Sequence, residues 1–396
     1  MENNIKNQQA LFLAIVTLFW FSQYVYIPFQ TPYLLELNVA SSFIGVIIGS
    51  YGVSQLIVRL PMGIVADYIN KEKFFIFLGC FLASLASIIR ILLPSGNGFF
   101  MANLLSGFAS GTWISYMVYY TNLHSQDKQQ YATSIIIMFN NIGILLAFTV
   151  ATFLYDYIGM NVLCVFSIIC GFCGALLSLF ITNPKDKSNS KITIKELITV
   201  CFDKRLIFFA CLALVQQGFQ MSTTMSFSTQ ILKNLGASSL MIGYSSIIYM
   251  ISAVIFSKIG SSKRCQSLGA KICIPITFSF MFLYCILVPI VNNIYIIFLL
   301  QILPGVATGI LFSYITSQAM INVPLEKKST AMGFFQAIYD IGMTTFPILI
   351  GNLAETSSIK HAYFILSIIC LFACIISSFY YISSIKSSNK ESTVVD

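Results

Sequence analysis

The sequence predicts an all-α membrane protein of twelve transmembrane helices, arranged as two parallel six-helix repeats. Three observations predict it: apolar runs long enough to cross a bilayer, basic residues confined to one side, and an internal repeat of half the chain. Of the 396 residues 57% are hydrophobic and 9% charged, with a mean hydropathy of +0.84. A soluble protein is roughly a quarter charged. Here 22 basic and 14 acidic side chains cannot cover a water-facing surface, which excludes soluble enzymes, nucleic-acid binders and disordered chains.

About 20 apolar residues cross the hydrocarbon core. Charges, Pro, Gly and Asn punctuate the chain into twelve such runs: residues 10–33, 42–66, 74–93, 98–122, 130–154, 160–182, 205–231, 238–259, 270–289, 293–320, 329–351 and 360–384. The first follows Lys6 without a small-residue cleavage site, so it reads as a span and not a signal peptide. The stretch 183–204 carries Lys185, Asp186, Lys187, Lys191, Lys195, Glu196, Asp203 and Lys204. It divides the chain into an N-terminal bundle (1–182), a linker, and a C-terminal bundle (205–396). Within it Ile194, Leu197, Ile198 and Cys201 recur at helical spacing, predicting a short amphipathic helix on the membrane surface, with a solvated tether as the alternative.

With both termini in the cytoplasm, 18 basic residues fall inside, Lys233 and Lys360 outside, and Arg59 and Arg90 within spans. This is the positive-inside pattern, so the net charge of +8 is a topology signal. The eleven cysteines lie singly in apolar stretches and read as small buried hydrophobes. Cys170 and Cys173 form a CxxC without a second pair or a His nearby, and no metal or cofactor is expected.

The repeat has a fixed offset. Leu37–Gly45 (LNVASSFIG) matches Leu235–Gly243 (LGASSLMIG) 198 residues on, and at the same offset Gly107 and Gly111 match Gly305 and Gly309. One residue later, Lys128, Ala132 and Gly143 pair with Lys327, Ala331 and Gly342. Six-span repeats share one orientation, so the halves are parallel.

Two parallel six-span halves joined by a charged loop resemble the major facilitator superfamily of secondary transporters. The loop after the second span carries that family's pattern of a Gly, three residues, an Asp and a basic turn: Gly63-Ile-Val-Ala-Asp67-Tyr-Ile-Asn-Lys71-Glu-Lys73. Tyr68, Asn70 and Glu72 depart from it, and the corresponding turn at 257–264 lacks the acid. The resemblance covers essentially the whole chain without specifying a subfamily. It implies that Gly63, Asp67, Lys71 and Lys73 form a cytoplasmic gate holding the halves together.

Two ionisable residues lie deep in spans, Arg59 and Asp340, where charge is costly and finds a partner. Arg59, Gly63 and Asp67 share one helix face at i, i+4 and i+8. The resemblance places that face against the eleventh span, which predicts an Arg59–Asp340 interaction between the halves; separate partners are the alternative. Arg90 lies near the outer end of its span and is expected to snorkel as a structural residue. The two GxxxG pairs predict close helix contact, and His124 and His361, at span ends, are weak proton-relay candidates.

The resemblance also places the first, fourth, seventh and tenth spans around a central cavity, flanked by the fifth, eighth and eleventh. These hold Trp20, Gln23, Tyr24, Trp113, Tyr116, Asn140, Asn141, Gln216, Gln217, Gln220, Tyr249, Gln318, Gln336 and Tyr339. Amides and aromatics without fixed charge suit a neutral, amphipathic or weakly cationic solute. The pattern of proton-coupled drug exporters is missing: Asn103 stands where they carry an Arg in the fourth span, and the fifth reads GILLA from Gly143 with no Pro. Asp340, with or without Asp67, is the candidate proton site. A uniporter for sugars or nucleosides, and a non-transporting sensor on the same fold, are the alternatives. No catalytic set and no GxxxxGK motif is present, so neither an enzyme nor an ATP-driven pump is expected. Abundant Ile, Asn, Lys and Phe suggest an AT-rich bacterial genome and hence a bacterial plasma membrane. A monomer is the family default, with solute, protons and lipid as the expected partners.

Overall fold

The computed structural model describes residues 2–69, 72–124, 129–182, 194–260, 262–321, 323–324 and 327–392. Among them there is no strand, and the helices trace twelve crossings. Ten helical stretches reach spanning length with few charges. The other two crossings come from irregularities. The fifth and sixth spans form one continuous helix, Gln129–Ser178, broken at Gly159 (φ 67°, ψ −177°), a backbone conformation that favours a residue without a Cβ. The fourth span is two shorter helices, Gly96–Gly111 and Trp113–Asn122, joined at Thr112.

Helix ends are set by local chemistry. Asp203 accepts hydrogen bonds from the amides of Arg205 (2.8 Å) and Leu206 (2.9 Å) and starts the seventh span. Asn293 does the same for Tyr295 (2.9 Å) at the start of the tenth. The lipid-facing surface keeps large apolar side chains such as Leu176, Phe372 and Phe379 exposed, as a bilayer solvent permits.

The first, fourth, seventh and tenth spans are each irregular near mid-depth. In the first, helices Glu2–Tyr24 and Ile27–Glu36 meet at a turn, because Pro28 has no N–H to reach the Tyr24 carbonyl. In the seventh, a π turn occupies Thr223–Phe227. There the hydroxyls of Ser222, Thr223 and Thr224 bond back to the carbonyls of Gly218 (2.7 Å), Phe219 (2.7 Å) and Gln220 (3.1 Å), a pattern that bends helices. The tenth has a second π turn at Ala307–Leu311. Shifted by 198 residues, the first-span turn falls at 223–224 and Thr112 falls at 310. The irregularities therefore obey the sequence repeat.

The two halves meet along the second (Ser41–Ile69) and eleventh (Lys328–Thr356) spans, along the fifth and eighth (Ser239–Gly260), and between the C-terminal parts of the first and seventh. Within the halves, Gly107 and Gly111 seat the fourth span on Tyr51, Ser54 and Val58 of the second, and Gly305 and Gly309 seat the tenth on the eighth. The described linker residues begin at Ile194. They form a helix at Ile194–Ile198 and a 3₁₀ turn at Thr199–Phe202 that lies against the seventh and eleventh spans; Leu197, Val200 and Cys201 are buried, and Ile198 and Phe202 are exposed. Residues 183–193 lie outside the described residues.

Candidate functional site: the seam and cavity between the halves

The seam between the second and eleventh spans allows backbone contact. A Cβ at Gly63 would lie 2.8 Å from the Ser329 carbonyl oxygen, and one at Gly333 2.9 Å from that of Arg59. Between these contacts the Arg59 guanidinium crosses the seam, with Nη1 3.1 Å from Asp340 Oδ1. Nη2 donates to Gln55 Oε1, and the guanidinium carbon stands 4.8 Å from the Tyr339 ring centroid. Both charges are buried, Arg59 at 3% exposed and Asp340 at 0%. Among the described residues Asp340 makes no hydrogen bond beyond the ion pair, so the guanidinium carries its compensation. Of the gate candidates, Gly63 lies on this seam. Lys73 Nζ instead donates to the Leu179 carbonyl (2.6 Å), inside the N-terminal half. The Asp67 side chain and Lys71 lie outside the described residues.

The end of the seam away from Gly63 is tied by groups the sequence did not single out as ties. Lys233 Nζ donates to the Pro32 carbonyl (3.1 Å) and pairs with Glu36 (3.0 Å), and Glu355 accepts from the Ser42 amide (2.9 Å). Lys233 was legible as one of two outside lysines, but its partner depends on how the halves dock.

Arg90 is corrected most. It does not snorkel: it is 1% exposed, because the first and fourth spans cover its end of the third span and turn the side chain inward. Nη2 donates to Asn103 Oδ1 (2.8 Å) and Ser106 Oγ (3.0 Å), Nη1 to Ser87 Oγ (3.3 Å), and the guanidinium stacks 3.8 Å from the Tyr26 ring centroid. Among the described residues no carboxylate pairs with it. Asn103 therefore receives a guanidinium delivered from the third span.

Beside this group lies a cavity of about 20 Å³ between the first, second, fourth and seventh spans, its wall including Gln23, Gln30, Tyr51, Asn103, Met221 and Met225. That space is about the size of one water molecule. Of the predicted cavity residues, Gln23 and Tyr24 line it. Trp20 and Trp113 meet edge to face (5.1 Å) just below, both nearly buried, with Trp20 Nε1 unpartnered. In the C-terminal half a chain runs from Gln216 Nε2 to Gln220 Oε1 (3.4 Å), from Gln220 Nε2 to Tyr249 Oη (2.8 Å), and on to Thr308 (2.8 Å). Gln216 and Gln336 are buried with Oε1 unpartnered.

Four candidates belong elsewhere. Tyr116 donates to the Ile76 carbonyl (2.9 Å) within its own half, because its ring is swallowed by the aromatic core of Phe12 and Phe19. Asn141 donates to Ser257 Oγ (3.4 Å) on the fifth–eighth seam. Gln318 holds Arg205 near the start of the seventh span (2.7 Å). Tyr339 serves the Arg59–Asp340 pair. Asn140 and Gln217 are half-buried. His124 packs on Tyr120 and bonds Gln9 (3.2 Å), while His361 bonds Ser357 (2.7 Å) at the opposite end. Gln30, Tyr51, Met221 and Met225 were missed: Tyr51 lies on the second span, which was not expected at the cavity, and the other three sit at or beside the breaks of the first and seventh.

The comparisons agree with this architecture. The Major Facilitator Superfamily profile matches residues 12–230 and 209–394. An uncharacterised transporter of that type from Methanocaldococcus jannaschii is 24% identical over 379 residues, 88% of this chain and 92% of its own. An uncharacterised transporter from Buchnera aphidicola is 30% identical over 109 residues, 27% of this chain and 28% of its own. The crystal structure of a variant of the nucleoside transporter NupG superposes with a TM-score of 0.72 at 16% identity, covering 96% of this chain and 99% of that one. Two repeat-related bundles, a seam crossed by a buried ion pair, and a family match over nearly every residue make the chain a member of the major facilitator superfamily.

Proposed function

We propose that this chain is a secondary transporter that moves a small neutral or amphipathic solute by alternating access, in a bacterial plasma membrane with both termini cytoplasmic. The observation that carries the solute class is the cavity wall: amides, tyrosines and methionines, without a carboxylate or lysine among the lining residues. A phosphate or dicarboxylate calls for paired Arg or Lys presented to the solute. With the termini cytoplasmic, the ties from Lys233 and Glu355 fall at the outer end, which supports a state closed to the outside from which the halves rock apart. In this reading Arg59–Asp340 is a latch on the seam. Gly63 gives the close approach on which the cytoplasmic gate depends, with Asp67 and Lys71 as its further members, while Lys73 is engaged within the N-terminal half.

The test is solute flux in proteoliposomes across sugars, nucleosides, amino acids and cationic dyes, with and without a pH gradient. Wild type is compared with Asp340→Asn. Gradient-driven flux lost in the variant supports proton coupling at Asp340. Flux indifferent to the gradient supports a uniporter and leaves Asp340 as a latch. Binding without flux of any solute sinks the transport reading in favour of a sensor.

A further inference from the structure

Away from the seam, a groove of about 520 Å³ runs between the seventh span and the twelfth (Ile359–Ser392) on the bilayer-facing surface. Lys204, Phe208, Cys211 and Val215 line it from one face of the seventh span, and Phe372 and Ala373 from the twelfth. Apart from Lys204 every lining residue is apolar. The Phe208 ring stacks on that of Tyr380 (4.2 Å between centroids) and props the two helices at the Lys204 end. Deeper in, Cys211 and Ala373 are too small to fill the space between them. Ala373, 4% exposed, forms the floor, while Phe372, 63% exposed, stands at the rim.

Depth and charge together name an occupant. From Lys204 to Val215 the seventh span rises about 16 Å at ~1.5 Å per residue, which is one leaflet of a hydrocarbon core about 30 Å thick. The groove therefore starts at headgroup level and ends near the bilayer midplane. Phe202, 76% exposed on the turn just before the span, stands at the same interface, where an aromatic ring settles. A slot that is apolar along its length and one leaflet deep fits an acyl chain. At its mouth Lys204 is exposed, and among the described residues no carboxylate pairs with it. The acid beside it, Asp203, spends Oδ1 on the amides of Arg205 and Leu206, and Arg205 is turned to Gln318 on the tenth span. A phosphate answers that open point charge. A choline or ethanolamine headgroup would bring a second cation beside Lys204, whereas a glycerol headgroup does not. We infer that this groove retains one anionic phospholipid from the leaflet on the side of the termini, with an acyl chain between the seventh and twelfth spans and its phosphate on Lys204. The site is separate from the central cavity and independent of what the protein transports.

The full chain in detergent micelles is given equal amounts of phosphatidylglycerol and phosphatidylcholine with the same acyl chains, then followed by native mass spectrometry under stepwise activation. The expected result is one lipid outlasting the rest, with phosphatidylglycerol favoured by about fivefold, the effect of one lysine on an anionic headgroup. Lys204→Gln should abolish the preference. Cys211→Trp, which puts a ring into the groove, should release the retained lipid. Equal retention of the two lipids by wild type overturns the inference, as does a preference unchanged in Lys204→Gln or undiminished retention in a folded Cys211→Trp protein. If that last variant does not fold, wild type is irradiated with phosphatidylglycerol carrying a diazirine on one acyl chain. Adducts on residues 207–215 or 369–376 uphold the groove, and adducts confined to other residues overturn it. Lipid-free dimers in place of lipid-bound monomers give the groove to a second copy of this chain, and also overturn the inference.

Discussion

Removing one partner of the Arg59–Asp340 pair should cost far more than removing both. With Asp340→Leu, Arg59 stays 3% exposed and keeps only Gln55 and the Tyr339 ring. Breaking a buried pair in this way costs about 3–5 kcal/mol, because a desolvated charge is left uncompensated. The ring offsets none of this, since it is present before and after. Arg59→Met leaves the carboxylate alone and should cost a similar amount. The double variant replaces both charges by apolar groups of similar volume, where the outcome is about neutral. A double-mutant cycle on unfolding in mixed micelles should therefore return a coupling of about 6–10 kcal/mol. Additivity within about 0.5 kcal/mol would refute the claim that these two charges compensate each other across the seam.

Other outcomes follow from the same contacts. Lys233→Met removes a half-exposed ion pair and a charge-assisted bond to the Pro32 carbonyl, together about 1–2 kcal/mol after solvent screening. Spin-label distances between the outer ends of the first and seventh spans should show a shift of about 5- to 30-fold toward the outward-open form; an unchanged distribution removes the tie. Gly63→Val places side-chain atoms into the Ser329 carbonyl and should cost about 1–3 kcal/mol of seam packing. Cysteine accessibility at the cytoplasmic end should rise, and an unaltered pattern would show that the approach at Gly63 is not needed. Asn103→Ala strips Arg90 of its closest acceptor and should lower thermal stability by about 1.5–3 kcal/mol, read as the unfolding midpoint. No change there would mean that Ser106 and Tyr26 suffice.

Much of the fold was legible because hydrocarbon imposes simple rules on sequence. Span length, basic-residue bias and the 198-residue repeat each report a one-dimensional property. Where the chain departs from continuous apolar helix, as at Gly159 and Thr112, residue spacing still located the crossings. The Arg59–Asp340 contact was within reach because depth is countable along a helix. Arg90 was misread because depth alone does not say which way a side chain turns: the cover over it comes from the first and fourth spans. Tyr116 failed as a cavity residue for the same reason, since rotation about the helix axis is set by packing partners. The pocket residues Gln30 and Met225 gain meaning only once Pro28 and the Ser-Thr run break their helices.

Those four breaks, spaced by the repeat, bear on how such a protein changes what it handles. A helix interrupted at mid-depth presents main-chain groups as well as side chains to the space beside it. Main-chain chemistry is the same whatever residue occupies the position. Side chains on either lip can then be exchanged during divergence while the hinge and its polar backbone persist. One ancestral half, copied once, already contained the bend that both copies use. Novel specificity in this architecture would then be a matter of redecorating an inherited joint, without building another.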